Sequence, residues 1–225
     1  MHEELIEYCS TRNIEFFSTG FDVTSVDLLI SLGVNRFKIP SGEITNLPYL
    51  RHIGKLGKPV ILSTGMATMG DIEAAIEVLV AAGTETSLIT VLHCTTEYPT
   101  PMLEVNLRAM QSIQAAFGVA VGYSDHTAGI EVSIAAAALG ATVIEKHFTL
   151  DKKLPGPDHS FALEPNELKL MIDSVRSAEK AIGTGIKEIL PEELQLRRFA
   201  TRSIQAIKDI HKGEILQDGV NISVL

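Results

Sequence analysis

Short apolar runs and longer amphipathic stretches alternate along the chain up to residue 185. Six runs stand out: IEFFST (14–19), RFKIP (36–40), PVILST (59–64), LITVLH (88–93), VAVGYS (119–124) and TVIEKHF (142–148). Each is nearly continuous in apolar residues and is bounded by Gly, Pro, Ser or Thr, as expected of a strand buried on both faces. Between them lie helical spacings. Ile72, Ala75, Ile76, Leu79 and Val80 recur at i, i+3, i+4, i+7 and i+8, and Gly83 supplies the stop. Leu107, Met110, Ile113 and Phe117 make a second stripe. Leu168, Met171, Ile172, Val175, Ala178 and Ile182 make a third, ended by Gly183. The opening EELIEYC predicts one more helix, with Leu5 and Cys9 on a shared face. Six strands, each followed by a helix and starting about 20–30 residues apart, are the signature of right-handed βα units. A doubly wound sheet and a (β/α)₈ barrel both predict this alternation.

From Lys187 the texture changes. PEELQLRRFATRS is charged, and the remainder to Leu225 carries strand-like alternation with turn signals at Lys212-Gly213 and Asp218-Gly219. The expected organisation is therefore an α/β domain over 1–186 and a linker with the start of a small β-rich module over 187–225. Composition narrows the setting. Lys and Arg total 19 against 28 Asp and Glu, a net charge of −9, which argues against nucleic acid or an anionic membrane as the main partner. Cys9 and Cys94 are too few and too separated for a disulfide framework, so a reducing cytoplasm is the expected compartment. The most apolar stretch, Val132 to Ile144, is too short to span a bilayer, and no charged-then-apolar leader follows Met1.

Polar residues gather at the carboxyl ends of the expected strands, where the reactive groups of parallel α/β folds sit. They are Ser18 and Thr19; Lys38, Ser41 and Glu43; Ser63 and Thr64; His93, Thr95, Thr96 and Tyr98; Ser124, Asp125 and His126; and Glu145, Lys146 and His147. Six such sets favour the barrel, whose strand ends all open on one mouth. His126 and His147 end successive strands and would suit a divalent ion that keeps several waters, or serve as satisfied structural histidines. His93 sits beside Cys94 in an apolar run and reads as structural; His2, His52 and His211 read as surface residues. Lys38 lies on a buried strand and needs an anion: a phosphate or carboxylate ligand, a Schiff-base carbonyl, or a carboxylate such as Glu43 or Glu145. Ser41, Ser63, Thr64 and Ser124 can ring the same anion, with backbone N–H groups near Gly42 and Gly65. PGPDHSFAL (155–163) is a stiffened loop that presents Asp158 and His159 and suits a polyhydroxy ligand, or simply a turn into the next helix.

The motifs FKIPSGE, ILSTGM, HCTTEYPTP, GYSDHT and EKHFTLD…GPDHSFAL, in this order and spacing, closely resemble the sialic acid synthase family, with its N-acetylneuraminate, legionaminate and pseudaminate branches. The resemblance runs from Ile14 to Gly183 and weakly beyond. It implies a (β/α)₈ barrel that condenses phosphoenolpyruvate with an N-acetylated amino sugar, such as N-acetylmannosamine, to a nine-carbon 2-keto acid with release of phosphate. It implies a divalent cofactor, Mn²⁺ first and Mg²⁺ or Co²⁺ as alternatives, and a homodimer in the full-length protein. Matched residue by residue, His126 and His147 correspond to metal ligands. Lys38, Ser41, Ser63 and Ser124, with Thr19, correspond to positions holding phosphoenolpyruvate. Glu43 corresponds to a carboxylate beside the reacting carbons, which with Lys38 makes the expected catalytic pair. Tyr98 and Asp158 correspond to sugar contacts, and Thr96 stands where some members carry Asn.

Family members begin with two further βα units ahead of the position of Met1 and end in a complete antifreeze-like domain. The expectation is an incomplete barrel of about six of eight units plus the first strands of that module. Two rival functions follow: a catalytically incomplete fragment that acts as a binding or subunit-interface piece, and a different metal-dependent barrel aldolase, including one that uses Lys38 as a Schiff base.

Overall fold

The computed structural model describes residues 1–225, which divide into a unit spanning Met1–Ile182 and a second spanning Gly183–Leu225. In the first, five parallel strands in the order β1 (Phe37–Ile39), β2 (Val60–Ser63), β3 (Ile89–Cys94), β4 (Ala120–Asp125) and β5 (Val143–Lys146) form one sheet. Helices α1 (His2–Thr11) and α2 (Val23–Ser31) precede it. Then α3 (Leu47–Gly54), α4 (Met69–Ala82), α5 (Arg108–Phe117) and α6 (Glu131–Ala138) connect consecutive strands, and α7 (Pro165–Ile182) follows. Sequential strands are neighbours throughout, so every connection is the same simple crossover.

The strand ladder sorts side chains by parity. Phe37, Ile39, Val60, Leu62, Ile89, Val91, Val121 and Tyr123 face the helices and join Leu50, Ile53, Ile72, Leu79, Met110 and Ile113 in the main core. The three helical stripes read from the sequence supply much of that core. Local signals set the helix ends. Thr68 and Asp71 form a capping box at the start of α4, with mutual side-chain to backbone bonds. Gly118 closes α5 at φ 65°, in the left-handed region that favours glycine.

The first apolar run does not form a strand. Residues 14–19 have no ladder partner: the Ile14 N–H turns back to the Cys9 carbonyl and closes α1. Only Phe16 packs on the core, while Ile14 and Phe17 are exposed. An apolar run needs a neighbouring strand and cover on both faces to become a buried one, and this run has neither. The expected six strands are therefore five. β5 is only half-buried; past its end, Leu163 donates to the His147 carbonyl and accepts from Thr149 N–H.

The sheet is an arc of a barrel. Lys38 on β1 and Glu145 on β5 belong to the two outermost strands, yet Nζ and Oε2 are 2.6 Å apart. In a flat sheet, four strand spacings would separate them by roughly 19 Å. The curvature brings both edges round to one concave face, the incomplete (β/α)₈ architecture expected from the sequence.

In the second unit, α8 (Glu193–Ala200) precedes a two-stranded antiparallel sheet of β6 (Ile204–Ala206) and β7 (Ile222–Val224). Buried Asn221 ties its loop together: the amide donates to the Ile215 carbonyl at 3.0 Å and accepts from Gln217 N–H at 2.8 Å. No helix of the chain is long and apolar enough to cross a membrane.

Gly122 lies on the concave face in register with Leu92 and Val143, and a Cβ there would strike the Val143 carbonyl oxygen and a Leu92 methyl. Backbone cannot yield as a side chain can. Gly122→Ala should therefore destabilise the first unit by about 1–3 kcal/mol, read as a lower midpoint in chemical unfolding; an unchanged midpoint would contradict the close approach of these strands.

Candidate active site

Lys38, Ser63, Cys94, Ser124 and Glu145 fall on the concave parity of their strands, as the register pairs Lys38 with Ile61, Cys94 with Ser124, and Ser124 with Glu145. His126 and His147, each two residues beyond a concave-facing residue, continue the same face. Side chains of opposite parity at the same strand ends, His93, Tyr123, Asp125 and Lys146, point toward the helices. A two-residue period thus separates site from support.

Lys38 is 8% exposed in its side chain and pairs with Glu145, which keeps 40% exposure. Glu145 Oε1 also accepts the Ser124 hydroxyl at 2.6 Å. Burial alone would raise the Glu145 pKa, but the Lys38 ammonium and the bonds from Lys38 and Ser124 outweigh it and hold the carboxyl below the usual glutamate range. Glu145 is thereby held ionised beside Lys38 on the concave face. Of the partners open to Lys38 in the sequence, the protein provides Glu145. Glu43 is turned away: its carboxylate accepts the Asn46 amide at 2.6 Å, at the N-terminus of α3, and makes no ion pair with Lys38. Lys38 is thus ion-paired with Glu145 and not with Glu43.

Beside this row is a cradle made of small groups. Ser41 Oγ accepts the Gly65 N–H at 2.9 Å and lies 3.4 Å from Cys94 Sγ. A Cβ on Gly65 would collide with Thr96 Oγ1 and press on Ser41 and Cys94, so only glycine permits these loops to converge. Ser63, 3% exposed, has a buried hydroxyl with no hydrogen-bond partner. A buried orphan donor on this face is a feature that an anionic ligand would satisfy.

The two histidines meet at the other end of the row, ring centroids 5.4 Å apart. His126 Nδ1 is 2.8 Å from the Thr95 carbonyl, which can only accept, so the proton is on Nδ1 and the Nε2 lone pair is free toward Ser124, 3.4 Å away. Burial, opposed by that Thr95 bond, lowers the His126 pKa and favours the neutral ring. A histidine oriented through Nδ1 to a backbone carbonyl, with Nε2 open, is how a metal-binding imidazole is held. No third His, Cys, Asp or Glu completes a cluster with the pair, so the donor set fits a cation that takes two protein nitrogens and fills its other positions with water or substrate. Tyr98 stacks over His126 at 4.2 Å, Phe161 lies 5.2 Å from His147, and Asp158 Oδ2 is 3.7 Å from His147 Nδ1.

Of the residues singled out in the sequence, Lys38, Ser41, Ser63, Thr96, Tyr98, Ser124, His126, His147 and Asp158 thus fall on or around one concave face. Thr19 lies in the strandless segment before α2 and has no hydrogen bond to this cluster. Glu145, one of the two carboxylates offered to Lys38 by the sequence, is the one that reaches it, and Cys94, not expected on this face, joins the row. Their signal was parity with Ser124, which emerges only once the register is known. His93 is structural, as its neighbours suggested: Nε2 meets the Val105 carbonyl at 2.9 Å on the helix side.

Known proteins place this geometry. Residues 1–187 match the NeuB family. The chain belongs to that family. The N,N'-diacetyllegionaminic acid synthase of Campylobacter jejuni subsp. jejuni serotype O:2 is 57% identical over 218 residues, covering 97% of this chain and 65% of that protein. Human N-acetylneuraminate-9-phosphate synthase is 38% identical over 216 residues, covering 96% of this chain and 59% of that one. The crystal structure of N-acetylneuraminic acid synthetase from Leptospira borgpetersenii serovar Hardjo-bovis, in complex with citrate, superposes with a TM-score of 0.81 at 35% identity over 88% of this chain and 68% of that chain. The NeuB-family chain spans 60–65% of the length of the first curated relatives it matches.

Burial also lowers the pKa of His93, and its bond to Val105 offsets this only in part. The unfolded chain therefore takes up a proton below about pH 6.5 that the folded chain resists, so stability is complete above that pH and declines as pH falls. His93→Gln should flatten part of that acid decline, with His126 supplying the rest. Identical slopes of unfolding free energy between about pH 6.5 and 5 in both proteins would show that His93 does not titrate as a buried neutral ring.

Proposed function

We propose that this NeuB-family chain carries the reactive core of a synthase that condenses phosphoenolpyruvate with an N-acetylated amino sugar aldehyde, releases phosphate and leaves a nine-carbon 2-keto acid. The observation that carries it is the single concave row in which an ammonium, a buried unpaired hydroxyl and two open imidazoles stand side by side. The names of the relatives support the same chemistry, as does the family to which the chain belongs. The complete protein is a cytoplasmic homodimer on this proposal, and the second unit is the beginning of its antifreeze-like module.

Phosphoenolpyruvate brings a phosphate and a carboxylate. Lys38, the Ser63 hydroxyl and the Ser41–Gly65 cradle are donors for those anions, and they fix the enol so that C3 faces the sugar. His126 and His147 would hold a divalent ion, Mn²⁺ first among Mg²⁺ and Co²⁺, which supplies Lewis-acid polarisation of the sugar aldehyde when bound. Bond formation takes the C2=C3 electrons to the aldehyde carbon, sends the C=O π electrons to the aldehyde oxygen, which takes up a proton to become a hydroxyl, and leaves positive charge at C2. Glu145, kept ionised by Lys38 and Ser124, is suited to stabilise that charge. Water adds at C2 and gives up a proton, for which the motif comparison offers Glu43. The C2–O bond to phosphate then breaks as the new hydroxyl becomes the ketone. Tyr98 and Asp158, flanking the histidines, are suited to contact the sugar. Lys38 as a Schiff-base nucleophile fits less well, because its Nζ is engaged with Glu145 at 2.6 Å.

The purified chain should release phosphate from phosphoenolpyruvate only when N-acetylmannosamine or a related sugar and Mn²⁺ are both present. Lys38→Met, which leaves Glu145 in contact with water, should weaken phosphoenolpyruvate binding by about 10–100-fold in calorimetry, as expected for loss of a charged hydrogen bond. Phosphate release without the sugar, or borohydride trapping of a modified Lys38, would overturn the assignment.

A further inference from the structure

The last register pair of β4 and β5 is Asp125 with Lys146, and the next residue on each strand is a concave-face histidine, His126 and His147. Behind those histidines, on the helix side, is a buried network that the proposed chemistry does not use. Asp125 is fully buried and the Lys146 side chain is 3% exposed, with Nζ 3.0 Å from Asp125 Oδ2. Asp125 Oδ1 accepts both the Thr127 N–H at 2.9 Å and the Thr127 hydroxyl at 2.7 Å. Lys146 Nζ donates to the Thr127 carbonyl at 2.6 Å, and Ser133 on α6 donates to Asp125 Oδ2 at 2.6 Å. The Thr127 backbone is thus gripped at its N–H by one member of the ion pair and at its carbonyl by the other.

His126 is the residue between Asp125 and Thr127, the centre of an Asx-type turn closed by the Asp125 carboxylate. Its own carbonyl accepts the Thr100 N–H at 3.0 Å. With both neighbours pinned, its backbone has little freedom, and Nδ1 meets the Thr95 carbonyl. His147 follows directly on the pinned Lys146. A buried ion pair is seldom more stabilising than apolar residues of the same volume, whereas it does impose one geometry. Here the imposed geometry is the angle between two strand ends that carry imidazoles.

We propose that Asp125 and Lys146 are positioning residues that clamp Thr127 and so aim His126 and His147 at one shared cation. This rests on His126 and His147 being the metal pair, and the test separates the two. The neutral double variant Asp125→Asn/Lys146→Met removes both charges together and so avoids an unpaired buried ion. Two readouts are taken on the whole chain: the tautomer of His126 from imidazole ¹⁵N NMR without metal, and the affinity for Mn²⁺ alone from titration. The double variant should lose the Nδ1–H tautomer as the dominant form and bind Mn²⁺ at least about tenfold more weakly. Ser133→Ala, which removes only the α6 bond to Asp125, should lower the unfolding midpoint and change neither readout. A folded double variant with the wild-type tautomer and wild-type Mn²⁺ affinity would overturn the proposal. If wild-type protein does not bind Mn²⁺, the metal pair falls, and the clamp stands or falls on the tautomer alone. Should the double variant not fold, Lys146→Met alone takes its place: it frees the Thr127 carbonyl while Asp125 keeps its bonds from Thr127 and Ser133, and an unmoved tautomer and affinity there would equally overturn the clamp.

Discussion

A parallel sheet buries both faces, and its two-residue period decides which side chains each face receives. In this chain that constraint is used twice at every strand end. One parity delivers Phe37, Val60, Ile89, Val121 and Tyr123 to the helices. The other delivers Lys38, Ser63, Cys94, Ser124 and Glu145 to the concave side. Charges can stand on the concave side because the sheet is bent far enough for its two edge strands to neutralise each other through Lys38 and Glu145. On a flat sheet both would be isolated, and a lysine 8% exposed would face an unmet desolvation cost.

The sequence was informative where periodicity is local. Five of six apolar runs became strands, and the helical stripes became the faces of α4, α5 and α7 or their packed residues, because capping residues and spacing act within one turn. The failure at residues 14–19 has a nonlocal cause. Nothing within IEFFST distinguishes a run with strand neighbours from one without them, and the segment's backbone goes to closing α1 instead. The site shows the same division. Lys38, Ser63, His126 and His147 were recognisable from residue type and position at strand ends. The choice between Glu145 and Glu43 as the lysine's partner was not, since it depends on the curvature that unites β1 with β5 and so brings together two residues 107 apart in sequence.

Two ion pairs flank the strand ends, and their environments suit different tasks. Asp125–Lys146 has no water contact worth counting, at 0% and 3% side-chain exposure, and its remaining bonding capacity is spent on Thr127 and Ser133. Such a pair is rigid and unavailable to a ligand. Lys38–Glu145 is asymmetric: the lysine is buried and the glutamate is 40% exposed. A ligand arriving on the concave face therefore meets a fixed ammonium whose carboxylate partner is still solvated. Support and reactivity are separated by the thickness of one strand.

Charge balance explains why histidines accompany this lysine. Phosphoenolpyruvate carries roughly −2.5 to −3 near neutral pH, from one carboxylate and one phosphate. The concave face offers a single ammonium, Lys38, already set against Glu145, and the nearby Asp158 adds another carboxylate. On the proposed function, the hydroxyls of Ser41 and Ser63 would orient the anion but add no net charge. A neutral imidazole adds none either, and burial favours that neutral form at His126. The face therefore has too little positive charge of its own for such a substrate. On the proposed function, a divalent ion held by His126 and His147 would restore the balance, so the same pair of residues would serve both the affinity for the anion and the polarisation of the aldehyde.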